Sequence, residues 1–230
     1  MESSKLVYSI LFQGTISLVL SMIIFEVSKR IVIYKCNLKR KIFPIKTTRD
    51  RNNIIAISTI LFFVIFRVSS IYSYEYKYII FLLIFLGYSI LVGTIDWWIR
   101  IIPNEIVLSL SFIGIIYQYL FNGINGLWSS ISISFIIGIV FSLIMCIFKI
   151  IGKTNNAIGA GDLKLLLAVG IVCGYNNIII AILAMSLSMA SFCIIGLSTK
   201  RLNMKSYFPM GGFIMAGMII SFIAQSFNVF

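Results

Sequence analysis

This sequence predicts an all-α, polytopic membrane helix bundle of about eight transmembrane segments, and three observations carry that prediction. Of its 230 residues, 60% are hydrophobic and 11% charged, whereas a soluble domain carries about 25% charged residues. The mean hydropathy is +1.05. The apolar residues are grouped into runs that approach the roughly 20 residues a helix needs to cross a hydrocarbon core of about 30 Å.

In chain order the runs are 7–27, 54–71, 78–95, 106–121, 128–150, 163–173, 178–197 and 208–230. The first is preceded by few basic residues, is long and shows no small-residue cleavage site, so it reads as a retained helix. The sixth is the shortest. It is expected to be re-entrant or partly unwound, which membranes tolerate only inside protein or around a watery cavity. The chain is read as a single integral membrane domain, 1–230, in which only 28–53 is long enough for a soluble appendage. That stretch is expected to be a short basic cytoplasmic loop, too small and too polar to bury a core.

Charge tests the topology independently, because cytoplasmic loops carry the Lys and Arg excess. The first connection holds Lys29, Arg30, Lys35, Lys39, Arg40, Lys41, Lys46, Arg49 and Arg51. Arg100, Lys149, Lys153, Lys164, Lys200, Arg201 and Lys205 fall on the same side, leaving only Lys5, Lys77 and Arg67 of the 19 basic residues elsewhere. Both termini are then outside, and Asp96 and Asp162 share the cytoplasmic face. The net charge of +12 lies in membrane connections rather than on a basic domain, so it points to topology and anionic lipid, not to nucleic acid. Cys36, Cys146, Cys173 and Cys193 form no CxxC pair, which supports neither a zinc site nor a disulfide framework.

Acids are the scarce residues. Glu2, Asp50 and Glu75 belong to a terminus or connections, and Glu26 ends the first run beside Lys29 and Arg30. Glu105 follows Pro103 in the first turn of a helix, where the dipole alone favours an acid. Asp96 and Asp162 remain, at helix ends on one predicted face. Two carboxylates brought together cannot readily both ionise, so one keeps a proton while the other activates a water. This chemistry needs no histidine and no metal, and the chain has no histidine. Asp162 opens a helix and is expected to be the base; Asp96 closes one and is expected to be the acid. Gly159 and Gly161 are expected to allow positive φ and close approach of a substrate backbone.

Two motifs now stand in order: Asp96 with Pro103 and Asn104, and Gly159-Ala160-Gly161-Asp162-Leu163-Lys164-Leu165. Together they resemble the type IV prepilin peptidase family, the bacterial GxGD membrane aspartyl proteases, over 78–230, the motif-bearing catalytic part. Pro209-Met210-Gly211-Gly212 resembles, more loosely, a stretch the family often has before its last helix. The resemblance implies catalytic Asp96 and Asp162 and removal of the leader peptide of type IV prepilin or pseudopilin precursors. It places that cut at the cytoplasmic face of the bacterial plasma membrane. No cofactor is implied for proteolysis. Many members also methylate the new N-terminus with S-adenosylmethionine and carry two CxxC pairs in the first loop. Here Cys36 is the sole cysteine of that stretch, which argues against zinc and leaves methylation open.

The alternative is a proton- or cation-coupled transporter using the same acids. It predicts acids near the helix midplane and two halves related by a repeat. The acids here are at helix ends, and no repeat aligns. Trp97 and Trp98 read as headgroup anchors beside Asp96. Arg67, inside the second run, reads as a cation that snorkels or pairs with an acid.

Overall fold

Backbone hydrogen bonds have no water partner in hydrocarbon, so a lipid-spanning chain of this composition must satisfy them within helices. The computed structural model describes residues 2–38, 48–71, 75–150, 159–200 and 209–227. Lys39, Arg40, Lys41, Lys46, Lys153, Arg201 and Lys205 lie outside the described residues. Within them the elements are α1 (Glu2–Leu38), α2 (Thr48–Ile71), α3 (Tyr76–Ile99), α4 (Asn104–Ile150), α5 (Ala160–Ser198) and α6 (Gly211–Phe227), with no strand. Five stretches, Ser9–Asn37, Asp50–Val68, Tyr76–Ile99, Asn104–Ile144 and Ala160–Ser198, are long and apolar enough to cross a membrane, and Gly211–Gln225 is a shorter apolar helix. The protein is a multi-pass membrane protein.

A straight 47-residue α4 would be about 70 Å long, more than twice the hydrocarbon thickness. It is not straight. Gly123 takes φ 66 and ψ −167, and Gly174 in α5 takes φ 61 and ψ −170, a region open almost only to glycine. At Gly123 the chain doubles back: a Cβ on Gly126 would lie 3.8 Å from the carbonyl oxygen of Gln118, whereas eight residues of continuous helix span about 12 Å. The six helices, two of them broken once, therefore form eight arms among the described residues. Within the described residues, each apolar run read from the sequence has its own arm. The sixth, expected to be re-entrant or partly unwound, is helical from Ala160 to a break at Gly174.

The basic stretch 28–53 also differs from expectation, being helical through Leu38 and again from Thr48. No glycine or proline interrupts it before Pro44. The Ser28 hydroxyl donates to the Ile24 carbonyl at 2.8 Å, and Glu26 pairs with Lys29 at 3.8 Å and Arg30 at 3.5 Å along the helix surface. Lys35 in the last turn suits the negative end of the dipole. Hydropathy marks where α1 is apolar, not where it stops being helical.

The chain divides into two compact units, Met1–Ile99 and Arg100–Phe230. In the first, α1 packs on α2 and α3 through apolar side chains such as Phe25, Phe62, Phe85 and Val92, all buried. Hydroxyls supply the polar contacts. Ser21 and Thr59 meet at 2.7 Å, and Thr94 donates to Ser28 at 3.1 Å.

In the second unit the helices interlock through small residues. The first arm of α5 runs parallel to the first arm of α4, with Lys164 beside Asn104 at one end and Val172 against Gly114 towards the other. It runs antiparallel to the second arm of α4, with Gly170 on Ser134 and Leu167 on Gly138. The second arm of α5 runs antiparallel to α6, from Asn177 bonded to Gln225, through Met185 on Gly217, to Phe192 beside Phe213. Both glycine breaks therefore lie at one end of this unit. The starts of α4, α5 and α6 lie at the other.

Candidate functional site

Each of the three helices that start at that second end is preceded by a residue whose own side chain is no good hydrogen-bond acceptor. Pro103 precedes α4, its carbonyl accepting from Ile106 and Val107 at 3.2 and 3.3 Å. Gly159 precedes α5, its carbonyl accepting from Asp162 and Leu163 at 3.1 and 3.3 Å, with no side-chain cap. Met210 precedes α6 in the same way, accepting from Phe213 and Ile214 at 3.0 and 3.1 Å. Proline, glycine and methionine side chains offer no good acceptor to the N–H groups of a first turn. This end of the second unit consequently presents three helix starts, each a locus of partial positive charge. The loosely matched Pro209-Met210-Gly211-Gly212 stretch is one of them.

Asp162 sits in the first turn of α5, half-buried, where that field favours a carboxylate. Its geometry explains Gly159, though not as expected. Gly159 has φ −70 and ψ 141, ordinary extended backbone, and Gly161 is helical; neither uses a positive φ. What Gly159 supplies is room. A Cβ on Gly159 would meet the Asp162 carboxylate oxygen Oδ2 at 3.0 Å, a tight contact, so the missing atom gives the acid room to fold back over the helix start. A Cβ on Gly161 would make only ordinary contact with Ile102, at 3.4 Å, beside the turn that carries the first motif.

Asp96 lies in the last turn of α3 on the face of Val92 and Ile95, and is 5% exposed. A buried acid is costly to keep unless it is solvated, paired or used. The helix stops three residues later. Arg100 then adopts φ 52, a left-handed conformation that costs a non-glycine residue about 1 kcal/mol or more. The chain passes the buried Ile102 and Pro103 before α4 begins at Asn104. The Asp-to-Pro spacing of the first motif is thus the end of one helix, a tight connection and the start of the next. Trp97 is 61% exposed, while Trp98 packs edge-on against Phe25 of α1 with ring centres 6.0 Å apart.

One contact ties the two motifs together. The Lys164 ammonium donates to the Asn104 side-chain oxygen at 3.1 Å, joining residues 60 apart in sequence and crossing from the first turn of α4 to the start of α5. Within the second unit the structure therefore brings together Pro103, Asn104, Gly159, Gly161, Asp162 and Lys164. Asp96 belongs to the first unit. Glu105 is exposed in the first turn of α4, and Glu26 is engaged with Lys29 and Arg30.

Sequence reading missed the polar staple that holds the far end. Buried Gln118 donates to the Val172 carbonyl at 2.8 Å, an acceptor released where α5 breaks at Gly174. The Gln118 oxygen in turn accepts from Asn122 at 2.7 Å, one residue before the break in α4. Ser134 similarly donates to the Leu167 carbonyl at 2.8 Å. The signal was available, since amides inside apolar runs rarely lack a partner.

The family description "type IV leader peptidase" matches residues 80–194, half of the chain. The matched span runs from α3 with Asp96, through the Pro103-Asn104 turn and all of α4, into α5 with Asp162 and Lys164. No curated protein and no solved structure gave a significant match. On its helical membrane fold, its two motifs in order and this match, the chain belongs to the type IV leader peptidase family, and is a protease.

Proposed function

We propose that this protein is an aspartic endopeptidase that removes the leader peptide of type IV prepilin or pseudopilin precursors at the cytoplasmic face of the plasma membrane. Asp96 and Asp162 are its catalytic pair. Asp162 acts as base, drawing a proton from a water while the resulting hydroxide attacks the scissile carbonyl. Asp96 acts as acid and hands its proton to the carbonyl oxygen, giving a neutral tetrahedral diol. Collapse of that diol, with a proton passed to the leaving amine, breaks the peptide bond and restores the starting distribution of protons. The pair titrates as a unit.

The observation that carries this reading is the Lys164–Asn104 hydrogen bond, which joins the last residue of the first motif to the second motif. Family membership supports the reaction class. The folding of Asp162 over an uncapped helix start supports its role as the ionised partner. The substrate follows from the family together with the membrane setting: a precursor with one apolar helix in the bilayer presents its leader at the surface where these helix ends lie. N-methylation by S-adenosylmethionine is an optional second activity, and proteolysis itself needs no cofactor.

Coexpression with a candidate prepilin tests the proposal. The wild type shortens the precursor on a gel, and Asp96→Asn and Asp162→Asn each leave it intact at normal membrane abundance. Processing by either variant would remove the paired-acid mechanism.

A further inference from the structure

The first unit contains a groove that the peptidase reading does not use. It runs between α1 and α2, has a volume of about 740 Å³, and is lined by Leu18, Met22, Phe25, Ile55 and Ile60 along its length. Glu26, Lys29, Arg51 and Asn52 surround its mouth. The helices are antiparallel, with Ser21 opposite Thr59, and the same register sets Lys29 opposite Arg51. Two cations thus face each other across the opening, and among the lining residues only Glu26 opposes them. That carboxylate lies along its own helix, 3.8 Å from Lys29 and 3.5 Å from Arg30, and Arg51 makes a long 3.4 Å contact to Asn52. The mouth keeps a net positive charge, and the groove beneath it is apolar.

Its dimensions are those of a lipid. From Lys29 to Leu18 the helix rises about 16 Å, close to half of the roughly 30 Å hydrocarbon thickness and so to one acyl chain in one leaflet. We infer that this groove is a binding site for an anionic phospholipid, with its phosphate between Lys29 and Arg51 and an acyl chain along Leu18, Met22, Ile55 and Ile60. Charge complementarity selects the anionic headgroup over a zwitterionic one. The apolar channel distinguishes a seated lipid from diffuse attraction to the membrane surface, since a surface attraction needs no groove.

Native mass spectrometry of the full-length protein, released from nanodiscs of equal phosphatidylglycerol and phosphatidylcholine, tests the inference. The wild type retains phosphatidylglycerol in preference to phosphatidylcholine. Lys29→Gln and Arg51→Gln each reduce that preference by about fivefold. Ala56→Trp, which plugs the groove and leaves every charge in place, lowers retention of phosphatidylglycerol to a similar extent. Inorganic phosphate, which has the headgroup charge without the chain, does not displace the lipid at equal concentration. Equal retention of the two lipids by the wild type, or unchanged retention in Ala56→Trp with its helicity intact, would overturn the site. The glutamine variants carry the same test at the headgroup, so the inference does not hang on one substitution.

Discussion

Helices meet differently in the two units. In Arg100–Phe230 they touch through missing side chains: a Cβ on Gly114 would strike Val172 at 2.6 Å, one on Gly138 would strike Leu167 at 2.8 Å, and one on Gly170 would lie 3.1 Å from the Ser134 backbone. A Cβ on Gly217 would fall on the Ala181 carbonyl oxygen. In Met1–Ile99, Gly14 and Gly87 are forgiving. Gly87 faces only the Ile24 side-chain tip at 3.3 Å, and Gly14 faces open space. Lipid tails are as apolar as leucine, so burying apolar side chains does little to join helices in a bilayer, whereas close backbone approach gains dispersion energy. The second unit is therefore the one built to hold positions. The family match includes α4 and most of α5 from that unit, yet leaves α1 and α2 outside.

Exchanging the close contacts for side chains should expose this contrast most sharply. Gly217→Leu pushes α6 off α5 and is expected to cost about 3 kcal/mol or more. It should appear as a large fall in melting temperature and in folded yield from detergent. Gly87→Ala in the first unit should move the same measurement by no more than about 0.5 kcal/mol. Comparable losses in both would mean that the units do not differ in this way.

A smaller effect is expected at the breaks. Gly174→Ala places a Cβ in a glycine-only conformation, at a predicted cost of about 1–3 kcal/mol, and against the Gln118 amide, 2.7 Å away. Thermal unfolding should show it, and an unchanged melting temperature would mean that the α5 break can relax. The smallest effect is expected at the tie between motifs. Lys164→Met removes the bond to Asn104 on an exposed surface, so stability should hold while precursor cleavage slows roughly tenfold through loss of positioning. A cleavage rate equal to wild type would reduce that bond to decoration.

The contrast also explains what was legible in the sequence. The runs ending at Phe121 and Cys173 stop just before Gly123 and Gly174, so hydropathy found both reversals, although the long helices appear continuous. Both acids, with their helix-end positions, were legible because ionisable groups are rare in apolar sequence. The extent of α1 was not, because hydropathy does not report helical hydrogen bonds once the side chains turn basic. The reason for Gly159 was also hidden. A glycine chosen for a positive φ and one chosen for space read alike in sequence, and at Gly159 only the folded Asp162 carboxylate tells them apart. Arg67 is half-buried in α2.

The central claim is that Asp96 and Asp162 perform one chemical act together, and a double-mutant cycle on cleavage rate tests it most directly. With a purified precursor, Asp96→Asn and Asp162→Asn should each lower the single-turnover rate by about 10³-fold or more, and the double variant should be no slower than either, because groups that act as a unit are lost together. A double variant slowed by the product of the two single effects, or a single variant cutting near the wild-type rate, would contradict the claim.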